Sequence, residues 1–320
     1  VILTLNYPFF INLFRLLLKL LIIFPFLILS AELITRGAEK LEKFMGQGIT
    51  GGIIMGLLTA LPETIFVIVA VLRGEPYIAL GSAIGGNVLL FTFGIGLLGV
   101  MNYFKWRKDL IIAEEYGLEH KFLIATTILL LFLLLYNTLN VVMAIPLISL
   151  YFYYAFTRVK GFMKKSKSEV DYNEVVKATV YLIVGAVLLI FFSEPFVEEV
   201  EKISQDFHIP SVWLALILTP LAGEIEETIT AIRLTSNSQN GGSLAVFDFV
   251  GSKIENSTIL LAIIGISHGI QLQPGMNELI ATIIANTLAI FILMDRTLGL
   301  KESIALILIY FLVAYSTLAF

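Results

Sequence analysis

Apolar residues run through this chain in long blocks, separated by short polar breaks. Leu123–Leu135 and Ile280–Met294 are two of them. A helix needs about 20 apolar residues to cross the hydrocarbon core of a bilayer. On that measure the pattern predicts ten spans: Leu17–Gly37, Ile49–Leu72, Tyr77–Tyr103, Phe122–Tyr136, Val141–Phe156, Ala178–Phe196, Ser211–Arg233, Ser243–Ile266, Leu279–Met294 and Ser303–Phe320. The fourth and fifth are short. A polar, Lys-rich stretch from Arg158 to Lys177 separates the first five spans from the last five. The expected division is a first repeat over 1–157, a cytoplasmic linker over 158–177 and a second repeat over 178–320. The first apolar stretch reads as a span and not as a signal peptide, because no small-residue cleavage site precedes the polar segment that follows it.

Composition agrees with the pattern. The chain is 58% hydrophobic and 14% charged, against about 25% charged in soluble domains. The expected class is therefore an all-α, polytopic membrane protein. The absence of cysteine excludes thiolate metal sites and disulfides. Three scattered histidines form no metal-ligand spacing, and there is no Gly-rich phosphate loop and no nucleophile triad. These absences argue against an enzyme, and no cofactor is expected.

Lys and Arg set the orientation. Sixteen of them fall in or beside the loops after the odd-numbered spans, and four (Arg15, Lys19, Arg73 and Lys202) fall on the other side. Both termini are expected outside the cell membrane, with the linker in the cytoplasm. Lys253 is left over, inside span eight.

Two apolar blocks carry acidic interruptions. Pro220-Leu-Ala-Gly-Glu224-Ile-Glu226-Glu227-Thr228 places three carboxylates in span seven, and Thr59-Ala-Leu-Pro62-Glu63-Thr64 places one in span two. An ionisable group in hydrocarbon costs at least a few kcal/mol and is a functional-site candidate by default. Thr59 and Glu63 share a helix face, as do Gly223 and Glu227. Glu224 and Glu227 can both face one site, while Glu226 points away from Glu227. Pro62 cannot donate to the preceding turn, so span two is expected to break beside Glu63 and release backbone acceptors.

The halves match in spacing. Glu63 is followed after 22 residues by Gly85-Gly86-Asn87, and Glu227 after 24 by Gly251-Ser252-Lys253. Five spans per half is an odd number, so the halves must enter the membrane in opposite directions. Transporters built from such inverted-topology repeats bind ions near the midplane, at the repeat interface.

At these residues the chain resembles the calcium:cation antiporter superfamily, which includes sodium/calcium and proton/calcium exchangers. Thr59-Ala-Leu-Pro62-Glu63 looks like its Thr-Ser-Leu-Pro-Glu motif, and Gly85-Gly86-Asn87 looks like its Gly-Ser-Asn. Pro220-Leu-Ala-Gly223-Glu-Ile-Glu-Glu227 is similar to the Pro-x-x-Gly-Asn-x-x-Glu of proton/calcium members, and Gly251-Ser252 matches the second Gly-Ser. The resemblance implies that Glu63 and Glu227 are the central Ca²⁺ ligands. It also implies that Thr59, Asn87, Ser252 and Asn256 help line the ion path; the spacing to Glu227 adds Glu224 as a candidate ligand. The chemistry is consistent, since Ca²⁺ takes 6–8 oxygen ligands.

The departures from the family pattern are specific. Ala60 and Gly86 stand where the first repeat has serines, and Leu90 stands where sodium exchangers often have a polar residue. The second half is richer, with Glu224, Glu226, Glu227, Asp248, Glu255 and Asn256. Lys253 replaces the second-repeat asparagine. These changes weaken a multi-sodium stoichiometry and favour H⁺ or another cation. Lys253, Glu255, Asp248 and Glu226 are candidates for coupling.

Simpler readings stand beside these. Glu63 could be a helix-end carboxylate. Glu224, Glu226 and Glu227 could be the first turn of a helix starting at Thr219. Lys253 could form a structural pair with Glu255 or Asp248. The span-three glycines could be packing sites, and Glu194, Glu198, Glu199 and Glu201 a solvated outer cluster. The expected function is Ca²⁺ exchange for H⁺ or Na⁺, with inorganic cations and the lipid bilayer as partners and no nucleic acid. The rival readings are a degenerate homologue acting on another cation, a non-transporting regulatory membrane protein, and an intramembrane hydrolase using Glu227.

Overall fold

The computed structural model describes residues 7–45, 60–113, 117–162, 172–267 and 269–319. Among them the chain is almost entirely helical. In order, α1 is Tyr7–Met45, α2 Leu61–Leu72, α3 Pro76–Val88, α4 Ile95–Trp106, α5 Gly117–Tyr136, α6 Val141–Phe162 and α7 Tyr172–Phe207. Then come α8 Ser211–Gly223, α9 Ile225–Asn237, α10 Gly241–Glu255, α11 Leu261–Ser267, α12 Met276–Asp295 and α13 Leu300–Ala319. A π-helical turn over Leu89–Gly94 joins α3 to α4, and another over Asn256–Leu260 joins α10 to α11. Eight helical stretches among the described residues are long and apolar enough to cross a membrane, and α2 and α8 are shorter apolar helices.

Three boundaries differ from the sequence pattern. The helices α6 and α7 run into the expected linker from both sides, because a Lys-rich sequence is no obstacle to helix outside hydrocarbon. Helix α7 is 36 residues long and carries its amphipathic end well past Phe196. The expected seventh span is broken: α8 stops at Gly223 and α9 begins at Ile225. The first part of the expected second span, with Thr59, lies outside the described residues.

Contacts sort the connections onto two faces. Lys19 pairs with Glu199 at 2.6 Å, Arg73 with Glu194 at 2.9 Å, and the Trp213 indole donates to Ala314 O at 2.8 Å. These put the start of α1, the end of α7 and the end of α13 on one face. Lys40 pairs with Glu174, and the Trp106 indole donates to Thr235 O at 2.9 Å, on the other. Two-residue strands clasp each face. Leu110–Ile111 (β1) pairs with Thr297–Leu298 (β4), and Thr138–Leu139 (β2) with Ile270–Gln271 (β3). Moving five spans along the chain turns one clasp into the other. The connections carrying β2 and β4 are also alike. Each follows a residue with positive φ, Asn137 (54°) or Arg296 (61°), and each leads into the next helix.

Glycines set the closest helix approaches. A Cβ on Gly81 would stand 2.8 Å from Ala215 Cβ, and one on Gly85 2.8 Å from Pro220 Cγ, so α3 lies directly on α8. Without a hydrophobic force between helices in lipid, such backbone proximity is what earns van der Waals contact. Gly37 and Gly185 play the same part between α1 and α7, against Leu182 and Ile34. Hence Gly81 and Gly85 are packing sites. The outer acidic group is not simply solvated: Glu199 is buried and ion-paired to Lys19, while Glu194 remains exposed.

Candidate functional site

Glu63 lies in the first turn of α2. Pro62 precedes it at the start of the helix, where a missing N–H leaves no bond unmade. Ala60 O closes the turn, accepting from Thr64 N at 2.9 Å and from Thr64 Oγ1 at 2.7 Å. The proline therefore marks a helix start among the described residues, not a kink within one. The helix N-terminus favours a carboxylate there, although Glu63 is only 3% exposed.

The second half builds its acidic turn at the break between α8 and α9. Pro220 cannot donate to Leu216 O, and that oxygen lies against Gly85. The chain turns at Glu224, whose N–H donates to Pro220 O at 2.8 Å. Helix α9 then begins with Glu226 and Glu227 in its first turn. The acidic group is a helix start, as one simpler reading had it, but at Ile225 and not Thr219. Glu226 is buried beside Glu227 in that turn.

The two acidic turns interlock. Glu63 Oε1 is 2.5 Å from where a Cβ on Gly223 would stand, and the Glu224 carboxylate occupies the corresponding space over Gly86. Each glycine thus makes room for a carboxylate from the opposite half. The Lys253 ammonium binds Glu224 Oε1 and lies 3.8 Å from Glu227 Oε2. Ser252 Oγ donates to Glu227 Oε2 at 3.1 Å, and Asn256 Nδ2 reaches Glu224 Oε1 at 3.4 Å. Glu63 interacts electrostatically with Glu224, Glu227 and Lys253. Glu224 and Lys253 are fully buried, whereas the Glu227 side chain keeps 22% of its surface exposed.

Three oxygens here accept no hydrogen bond within the protein: Glu224 Oε2, Asn256 Oδ1 and Asn87 Oδ1. Buried oxygens without a donor are costly and uncommon. They suit a cation, to which oxygen offers its lone pairs directly. Among the described residues, no three Asp, Glu or His side chains close around a point as a metal cage would. An ammonium stands among the carboxylates instead.

Asn87 joins a second polar set behind this one. Its amide donates to Ser257 Oγ at 2.8 Å and to Asn286 Oδ1 at 2.9 Å, and Asn286 reaches Thr127 Oγ1 at 3.3 Å. Asn87 also approaches the backbone oxygen of Lys253, its counterpart in the other half, at 3.4 Å. The sequence reading missed Ser257, Asn286 and Thr127. The available signal was an amide isolated in the apolar ninth span, which deserved the scrutiny given to the acids.

The close ion-pair partners of Lys253 are Glu224 and Glu227, and the expected Glu255 interacts with it without forming an ion pair. Glu255 points the other way, hydrogen-bonds Tyr151 and interacts with Arg158. Asp248 is exposed one helix turn away, on the Arg158 side. Residues 253 and 255 are two apart, so a helix projects them to different sides. Arg158 lies over the Phe247 ring at 5.1 Å and donates to Tyr154 Oη at 3.2 Å. Tyr151 and Tyr154 are thereby buried partners of Arg158 and Glu255.

A family model described as sodium/calcium exchanger protein matches residues 15–160 and 177–319. The sodium/calcium exchangers NCL1 and NCL2 of Oryza sativa subsp. japonica are 30% identical over 90 residues and 29% over 103. Those matches cover 28% and 31% of this chain, and only 15% and 18% of the rice proteins. Among solved structures, the H⁺/Ca²⁺ exchanger CAX superposes with a TM-score of 0.78 at 21% identity, over 98% of this chain and 88% of that one. The sodium-calcium exchanger NCX_Mj superposes with a TM-score of 0.64 at 18% identity, over 92% of this chain and 96% of the other. At these identities the superpositions establish a shared fold. The family match extends over most of both halves, and with it the chain belongs to the sodium/calcium exchanger protein family, a family of multi-pass membrane cation exchangers.

Proposed function

We propose that this chain is a secondary-active antiporter that moves Ca²⁺ against H⁺ or Na⁺ across the cell membrane. The observation that carries this reading is the interlocking of Glu63 with Gly223 and of Glu224 with Gly86. It brings carboxylates from two distant stretches into one buried cluster. Glu63 and Glu227 are the central ligands, completed by Glu224, Asn256 and Ser252, with Thr59 and Asn87 on the path. A divalent cation between carboxylates offsets their mutual repulsion and their desolvation together. Protons compete for the same oxygens, which is itself a route to exchange.

The halves, 1–157 and 178–320, act as two inverted five-helix repeats that gate this shared site alternately. Both termini lie outside and the 158–177 linker is cytoplasmic. The exchange of one strand clasp for the other supports the repeat, and the Lys and Arg bias supports the orientation. Cysteines placed at Ser166 and Ser204 are expected to label from opposite sides with an impermeant reagent, and same-side labelling would reject the arrangement.

The experiment for function is Ca²⁺ flux in proteoliposomes under an imposed pH or Na⁺ gradient. Gradient-driven uptake is the expected result. Tight Ca²⁺ binding with no flux under either gradient would favour the regulatory homologue, which the ammonium among the carboxylates also suits.

A further inference from the structure

We infer that Lys253 is a built-in monovalent cation of the ion site, fixing its charge so that one divalent ion alone balances it. This deepens the proposed function and rests on it for the identity of the divalent ion.

The argument begins with position. Lys253 corresponds to Asn87 in the other half, and the two meet where Asn87 Nδ2 approaches Lys253 O. The neutral residue donates its amide to Ser257 and Asn286. The charged one turns its ammonium into the acidic cluster and is fully buried. It binds Glu224 Oε1 and stands 3.8 Å from Glu227 Oε2. A Cβ on Gly86 would be 3.1 Å from Lys253 Nζ. The ammonium is therefore held between the α9 turn and the α3 backbone, in a space that a larger residue at 86 would close.

Charge counting gives this position its meaning. Glu63, Glu224 and Glu227 interact with one another and with Lys253. Three carboxylates and one ammonium leave two negative charges, the complement of one divalent cation. Glu255 also interacts with Lys253 and Glu63, and Asp248 with Glu227, but both interact with Arg158, whose guanidinium offsets their charge within a neighbouring group. Without the ammonium the cluster would carry three negative charges, and a divalent ion would leave one uncompensated in a low-dielectric interior. A free monovalent ion would then be needed beside it. A purely structural ion pair would need only Glu224. The ammonium's reach towards Glu227, and the unpartnered Glu224 Oε2, fit a cation sharing its ligands with another cation.

The test uses the purified full chain and its Lys253→Gln variant, with Na⁺ or K⁺ replaced by N-methylglucamine at constant ionic strength. Thermal unfolding and Ca²⁺ binding are both read. The parent is expected to be indifferent to the replacement of K⁺ in both. K253Q is expected to unfold at a higher temperature in Na⁺ or K⁺ than in N-methylglucamine, and to bind Ca²⁺ about tenfold more tightly there, a coupling of ordinary size. The double variant K253Q/E224Q restores two net negative charges and should lose the dependence again. Equal destabilisation of K253Q in every salt would overturn the inference and leave a structural pair. Failure of K253Q to fold in cells, which contain abundant K⁺, would overturn it as well. If the parent itself binds no Ca²⁺, the proposed function fails, while the salt dependence of K253Q stability still reports on the lysine.

Discussion

The two halves of this protein build the same turn with different charge. The first half offers one carboxylate, Glu63, at a helix start, and follows it with Gly85, Gly86 and the neutral Asn87. The second offers Glu224, Glu226 and Glu227 at a helix start, and follows them with Gly251, Ser252 and the ammonium of Lys253. Each half supplies the glycine that admits the other's acid. The backbone scheme is shared while the charges are not. The two turns are therefore alike in backbone and unlike in charge, with the ammonium and its partner acid both in the second half.

The largest effect should come from the acids that the halves hold in common. Glu63→Gln and Glu227→Gln each remove one charge without changing size, and each is expected to abolish Ca²⁺ flux in proteoliposomes while the protein still folds. Equal loss from both would show that neither half binds alone. Retained flux in one would make the comparison a formal one.

Next in size is the asymmetric charge. Lys253→Met leaves Glu224 buried without its cation, which costs about 3–5 kcal/mol, read as a fall in thermal stability in detergent. The matching change in the first half, Asn87→Leu, removes only neutral hydrogen bonds, worth about 1–3 kcal/mol when partners are left unsatisfied. A larger loss from Asn87→Leu than from Lys253→Met would reverse the assignment of roles.

Smaller still is the steric term. Gly223→Ala puts a methyl 2.5 Å from Glu63 Oε1 and 3.3 Å from its Cδ, so the carboxylate must move. Ca²⁺ affinity is expected to fall about tenfold, or about 1.4 kcal/mol, as measured by titration calorimetry. Unchanged affinity would mean that Glu63 does not bind in the observed position. The smallest effect belongs outside the comparison. Glu194 is an exposed partner of Arg73, and such pairs are worth about 0–1 kcal/mol. Glu194→Gln should leave flux and stability nearly unchanged.

Much of this was legible in the sequence, for physical reasons. Membrane spans announce themselves because hydrocarbon tolerates little else, and Glu63 and Glu227 stood out for the same reason. The proposed duplication rests on spacing that the sequence already carries, from Glu63 to Gly85 and from Glu227 to Gly251. The break at Glu224 was not, since the 211–233 stretch is apolar on both sides of it and Pro220 alone does not fix where a helix restarts. The partner of Lys253 was missed because proximity in sequence suggested Glu255 and Asp248. The helix carries those side chains to the Arg158 side, while Glu224 arrives from 29 residues earlier. Glu199 looked solvated among its acidic neighbours, and only the packing of α1 on α7 buries it with Lys19.

The central claim is that carboxylates from both halves hold one divalent ion. It is tested most directly by Ca²⁺ titration of the purified chain beside Glu63→Gln and Glu227→Gln. The account predicts one Ca²⁺ per chain in the parent and none in either variant, with the variants unfolding at temperatures near that of the parent. Parent-like binding by either folded variant would contradict it.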